Sequence, residues 1–545
     1  MEVNKIPCPL GWQSKTKYTY FLTVLLVFFT CEDKKINDCA GVEGGVAQID
    51  SCGLCTGGTT GLLPNYLMDC AGQCEGSTEL DSCDVCGGDN SCMGCTDPNA
   101  SNYDNLASIN DGSCKYIQTQ FQVEDFSSAE NCMGCHPTHY DEWSSSMHAY
   151  SMKDPVWLSL QRREHQVHDE IGIELGDFCV QCHSPIASLT DAIIDHNTFS
   201  LSDLFALPPQ IQEGVTCDVC HTATHIPEPT DIQTDGQLFE TTDFKLFTDG
   251  TRYGTIDDPV DNNYHTSEYH PGYDRSEFCQ NCHNLTVNGV NTEVTQFEWE
   301  GTAFQAMGSE CQSCHMPTYQ GQAAVDGPER ENLHRHFFPG VDVRLDITQP
   351  NPEHLTAVEA LLLDAADIEF FPAVPDTLEE DSALIVQVIV SNNSGHNFPS
   401  GTTFIRQLWL EIVATLDGDT VFSSGLLNSD GDISDFYVDP EEEIDPQLHI
   451  FNTVLYDAQG DSGLRNVGAE DMVSLSDYTL PVEGSKTVNY SIELPDDSHG
   501  TLDISARLRF RSFPPFLLRM LNLDYEATNL PIFDIDQVTA QSHVQ

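Results

Sequence analysis

The chain has 545 residues, room for two to four domains, and sets 22 Lys and Arg against 86 Asp and Glu for a formal charge of -64. That balance argues against nucleic acid as a partner, because phosphates would be repelled. It suits solubility or high salt, with docking of a basic partner protein as the sharper alternative.

Lys15 and Lys17 precede an apolar run from Tyr20 to Thr30. The run is too short to span a membrane as a mature helix, so residues 1–30 are expected to be an export signal. Cys31 follows at once, as in a bacterial lipoprotein signal. The expectation is a lipid on Cys31 that anchors the chain at the outer membrane or cell surface. Ordinary cleavage nearby, with Cys31 incidental, is the alternative.

Residues 31–118 are rich in Cys, Gly and Asp and poor in large apolar residues. A repeat with an offset of 31 starts at Asp38 and again at Asp69 and aligns Cys39, Cys52 and Cys55 with Cys70, Cys83 and Cys86. Glu43 stands where the second copy has Cys74, so the copies cannot share every bridge. Ten cysteines lie between Cys39 and Cys114, enough for five disulfides, and these substitute for a core in an irregular, stalk-like segment. Asp97, Asn99, Asp104, Asn110 and Asp111 are candidate calcium ligands, although Asx-rich turns explain them as well.

Residues 119–345 contain CMGCH (Cys132, Cys135, His136), CVQCH (Cys179, Cys182, His183) and CDVCH (Cys217, Cys220, His221). CQNCH (Cys279, Cys282, His283) and CQSCH (Cys311, Cys314, His315) complete the set. Cys-x-x-Cys followed by His is the attachment signature of c-type haem: two thioether bonds to the porphyrin and an imidazole on the iron. Composition alone predicts about 0.03 such matches, so five are not accidental and structural zinc is a poor account of them. The Cys-x-x-Cys pairs at Cys52, Cys83 and Cys92 lack the histidine and are expected to carry no haem. The first cysteines of the five motifs are 47, 38, 62 and 32 residues apart, which predicts short helices and long loops around a core of cofactor.

In residues 346–545 the stretch from His354 to Phe370 has helical periodicity at its start, and alternating strands follow. These are Ala383 to Ser391, Arg406 to Thr415, Thr487 to Leu494 and Ile504 to Arg511, with Asp417–Gly418–Asp419 as a hairpin turn. Strands without crossover helices predict an antiparallel β-sandwich. The whole chain is therefore expected to be multidomain: signal, disulfide-rich stalk, mainly α/loop pentahaem domain and β-sandwich.

The sixth ligand of each iron decides its chemistry, since two imidazoles make an electron carrier and an open position admits a substrate. His148, His225, His336 and His396 are the leading distal candidates; His139, His165, His168, His270 and His334 rank below them, and Met307 and Met316 below those.

The stretches CMGCHPTHYDEWSSSMH, CVQCHSP, EGVTCDVCH, FCQNCH and ECQSCHMP resemble the multihaem cytochrome c superfamily. That superfamily includes the tetrahaem carrier of ammonia oxidisers, hydroxylamine oxidoreductase and pentahaem nitrite reductase. The resemblance implies that the stretch from Trp143 to His148 supplies a distal ligand. GHNFPSG (Gly395 to Gly401) and HRHFFPG (His334 to Gly340) are similar to further elements of such proteins. The nitrite reductases replace His by Lys at the catalytic haem, and hydroxylamine oxidoreductase carries eight haems. All five motifs here end in His. The expected function is extracytoplasmic electron transfer through closely packed, mostly bis-His haems, with other cytochromes or redox proteins as partners. The alternative is an oxidoreductase acting on a small nitrogen or sulfur compound, such as nitrite, hydroxylamine or tetrathionate. Its five-coordinate haem would be one without a nameable distal ligand, at His183 or His283.

Overall fold

The computed structural model describes residues 36–94, 96, 106–110, 121–171, 176–193, 196, 198–225, 233–234, 245–246, 248, 250–260, 262–287, 289–345, 351–379, 383–434, 444–463 and 472–545. The expected signal, Cys31 and the calcium candidates other than Asn110 lie outside them, and Asn110 is an exposed strand residue. Contacts divide the chain into residues 1–118 and 119–545. Among the described residues no helix is long and apolar enough to cross a membrane.

The first unit is held by Cys39–Cys55, Cys52–Cys74, Cys70–Cys86 and Cys83–Cys92. The Cys39–Cys55 bridge recurs as Cys70–Cys86 at the repeat offset. The other two bridges differ because Cys74 has no counterpart in the first copy. Each repeat contains two loops wound around an aspartate. Asp38 accepts from the N–H groups of Ala40, Val42 and Ala47 at 3.0, 2.9 and 2.9 Å. Asp81 accepts from Cys83, Val85 and Asn90 at 2.9, 2.8 and 2.9 Å. The Val42 N–H, then that of Ala47, hold the Asp38 carboxyl below its ordinary range. These short, mutually bonded loops satisfy backbone groups that no sheet or helix satisfies here.

In the second unit every Cys-x-x-Cys-His motif forms about one turn of helix. Helix α1 (Pro137–Ser145) leaves the first motif with proline at its first turn, and helix α2 (Pro155–Ile171) follows. A modest apolar cluster that includes Phe126, Met152, Trp157, Val180, Ile186, Ile211 and Val219 braces the second and third motifs. Hairpin β1 (Thr318–Gln322) and β2 (Glu329–His334) carries the chain out of the fifth motif.

Two sheets and a helix form the core of the rest, joined by a small hairpin of Thr453–Asp457 with Met472–Asp477 and two short helices, Pro515–Met520 and Asp524–Asn529. The predicted helical start is α3 (Pro352–Ala365), capped by the Asn351 side chain, and the stretch ends in strand β3 (Ala366–Phe370). β3 pairs with β5 (Ala383–Asn392), which pairs with β9 (Ser485–Glu493), both antiparallel. In the second sheet the order is β4 (Thr377–Leu378), β11 (Phe533–Val544), β10 (Gly500–Arg511), β6 (Gln407–Leu416) and β7 (Asp419–Ser424), with β8 (Ile450–Phe451) also on β6. Alternation puts Leu384, Val386, Val388 and Val390 inward while Ile385 stays 64% exposed. These residues share one core with Leu408, Leu410, Ile412, Ile504 and Leu508 of the second sheet and with Val358 and Leu362 of α3. The connection from β5 to β6 carries GHNFPSG and reaches the haem motifs.

Candidate haem-binding site

The side chains of all ten motif cysteines and all five motif histidines line one cavity of about 2180 Å³. A pocket for a single small ligand runs to about 300–1,000 Å³, so this space suits several large groups. The ten cysteines are unbonded, whereas the described cysteines of the first unit are all in disulfides. Burial pushes the Cys179 and Cys220 thiols up to about 12.

The histidines are oriented for a metal. His136 directs Nδ1 at the Ala323 carbonyl (2.7 Å), His183 at Ser151 (3.2 Å), His221 at Tyr253 (2.7 Å) and His315 at Pro339 (2.6 Å). A main-chain carbonyl takes the Nδ1 proton and leaves the Nε2 lone pair for iron. Gly214 secures one of these contacts. It lies in the left-handed region at φ 69°, and a Cβ there would come within 2.2 Å of Ser151 Oγ and 2.7 Å of the His148 carbonyl.

Two imidazoles on opposite sides of one metal, each about 2 Å from it, have ring centres roughly 6 Å apart. Three pairs combine that spacing with ring planes within 30° of parallel. His221 and His336 are 6.3 Å apart at 18°, His315 and His396 are 6.3 Å apart at 20°, and His136 and His265 are 6.3 Å apart at 28°. The outer partners again use Nδ1 on carbonyls: His336 on His334 (2.9 Å), His396 on Asn397 (2.8 Å) and His265 on Thr266 (3.2 Å). His139 is also 6.4 Å from His136, but its Nε2 is 3.0 Å from the Tyr319 hydroxyl and its ring packs 4.6 Å from His336. His265 therefore fits the first motif better. Sequence reasoning missed it, because nothing local distinguishes it from a surface histidine.

The other distal candidates are placed as follows. His148 lines the cavity, and burial pushes it down to about 3, with His283, His315 and His183 adding to the effect. Among the described residues it has no ring partner at the 6.3 Å spacing. His165 stacks on His196 at 4.6 Å and His270 accepts from the Gly272 N–H, both outside the cavity lining. His334 turns Nδ1 to the Met316 carbonyl at 2.8 Å. The side chains of His168 and His225 lie outside the described residues. Met307 is 72% exposed, and Met316 lines the cavity.

His183 and His283 have no histidine ring at that spacing among the described residues. His183 is stacked by Trp157 at 4.8 Å. Among the described residues His283 is the one motif histidine whose Nδ1 faces a side chain rather than a main-chain carbonyl, Glu293 Oε1 at 3.7 Å.

The motifs also touch one another. The thiols of Cys132 and Cys217, of Cys182 and Cys282, and of Cys279 and Cys311 lie close enough to shift one another's protonation. First and third motifs are thus adjacent, and the fourth touches both the second and the fifth.

Residues 131–222, which hold the first three motifs, match the family model for cytochrome c554 and c-prime. Over 77% of this chain and 99% of the other, the fold is similar to a penta-heme cytochrome c552 from Thermochromatium tepidum, at 19% identity and a TM-score of 0.50. A CARDB domain from Pyrococcus furiosus and a sporulation control protein from Bacillus subtilis each match over 33% of this chain, covering 86% and 49% of theirs. Both are 10% identical, with TM-scores of 0.15 and 0.14, too low to carry an argument. No curated protein matches. The family match and the shared fold support a multihaem cytochrome c with covalently attached c-type haem.

Proposed function

We propose that the chain carries five covalent haems and passes electrons between redox proteins outside the cytoplasm. The three opposed histidine pairs carry this reading: six rings, each with Nδ1 on a main-chain carbonyl, each pair spaced for one metal between them. Bound haem supplies one-electron chemistry at these positions. The chain's own residues orient its ligands, set the motifs side by side and shape a shared apolar cavity. Motif contacts running first to third, and second to fourth to fifth, fit a conduit more than isolated centres.

Export is supported by four disulfides, which persist in oxidising compartments. Lipid anchoring through Cys31 and docking of a basic cytochrome on the acidic surface belong to the same proposal. So does the β-sandwich reading of the C-terminal sheets, which rests on their single shared core.

The second reading, catalysis on a small nitrogen or sulfur compound, draws its support from His183 and His283. These are the two motif histidines without an opposed ring, and the superfamily resemblance includes enzymes of that kind. Spectroscopy of haem-loaded protein separates the two. A high-spin fraction that moves on adding nitrite or hydroxylamine favours the enzyme; wholly low-spin iron favours the carrier.

A further inference from the structure

Four motif histidines turn Nδ1 to a main-chain carbonyl, and the fifth, His283, faces a carboxylate. Glu293 Oε1 stands 3.7 Å from His283 Nδ1 and is steadied by the Thr295 N–H at 3.2 Å. Glu293 also lines the cavity. A carbonyl accepts the Nδ1 proton as a neutral dipole. At 3.7 Å the Glu293 carboxylate is beyond full hydrogen-bond length, but it sets a negative charge beside the ring, which favours the more oxidised metal. The same motif is the junction of the cysteine contacts: Cys282 meets Cys182, and Cys279 meets Cys311.

We infer that Glu293 is a positioning residue that sets the fourth haem site below its neighbours in reduction potential, and that it does so at the branch point between the second and fifth sites. The inference rests on haem attachment at these motifs. Glu293 touches no electron acceptor. It acts through His283, and an electron crossing the junction meets its least favourable stop there.

The test is potentiometric titration of the full haem-loaded chain, wild type against Glu293→Gln and Glu293→Asp. Glutamine keeps the shape and removes the charge. One of the five transitions is expected to move to higher potential while the other four stay in place as internal controls. Aspartate keeps the charge but draws it back, so the same transition moves less. If the glutamine variant does not mature, the aspartate variant is read alone. Transitions unchanged in whichever variant matures with its full haem content would overturn the inference. Wild-type protein without haem would instead defeat the functional reading beneath it.

Discussion

The imidazole of His396, on the connection between β5 and β6, lies 6.3 Å from that of His315 with their planes 20° apart. A residue 81 positions downstream, from the sheet region, thus completes the surroundings of the fifth motif. The Asn392 side chain and the Ser394 hydroxyl both donate to the His396 carbonyl at 2.8 Å and fix the turn that presents it.

Removing one outer imidazole should therefore open one iron and leave the rest. His396→Ala, His336→Ala and His265→Ala are each expected to convert one haem of five from low to high spin. The effects should add in a double variant, since the pairs share no partner. Electron paramagnetic resonance and binding of an added small ligand read this out. An unchanged spectrum in His265→Ala would transfer the role at the first motif to His139.

The loop that bears His396 hangs on Glu298. Its carboxylate accepts from Asn397 N at 3.2 Å, Asn397 Nδ2 at 2.9 Å and Ser400 Oγ at 2.6 Å. Burial nevertheless pushes Glu298 from 4.5 up to about 7. A carboxyl raised in the folded state contributes stability below its unfolded value and loses it as pH rises through the folded one. The loss falls between pH 4.5 and about 7 and amounts to roughly 3 kcal/mol at about 1.4 kcal/mol per tenfold. Thermal unfolding from pH 4.5 to 8 should show it in the wild type, and Glu298→Gln should flatten it.

Glu213 ties the first motif to the third. Its carboxylate accepts from the Ser128 hydroxyl and from the Ala129 N–H at 2.8 Å, just before the first motif helix, and Thr216 leads into the third. Glu213→Ala strands buried donors at about 1–3 kcal/mol for each group left unpaired. Chemical denaturation of haem-loaded protein should show a loss in that range. A change under 0.5 kcal/mol would mean that the cofactors alone hold the two motifs together.

In the first unit, Cys52–Cys74 closes a separation of 22 residues and crosses from one repeat to the next. Replacing both cysteines by serine removes a loop closure of about 3 kcal/mol. Proteolysis should then cut near Leu62–Tyr66 while the haem unit survives.

Much of this was legible in the chain. The motifs fix the proximal ligands by covalent logic, and β5 and β10 announce themselves by alternation. The end of α3 was not visible: Ala366 to Phe370 continue an apolar pattern that serves helix or strand, and pairing with β5 decides for strand. Outer ligands are harder still, because nothing local marks a histidine that meets iron from another segment. His336 and His396 could be named only through the short segments around them. His265 and Glu293 carry no such mark, and only the folded chain brings them to His136 and His283.

The most direct test is intact mass with visible and resonance spectra on mature protein from a haem-maturing host. The account predicts a red protein with five covalent haems, at least three of them low spin. A colourless chain, or one whose ten motif cysteines still react as free thiols, would contradict it.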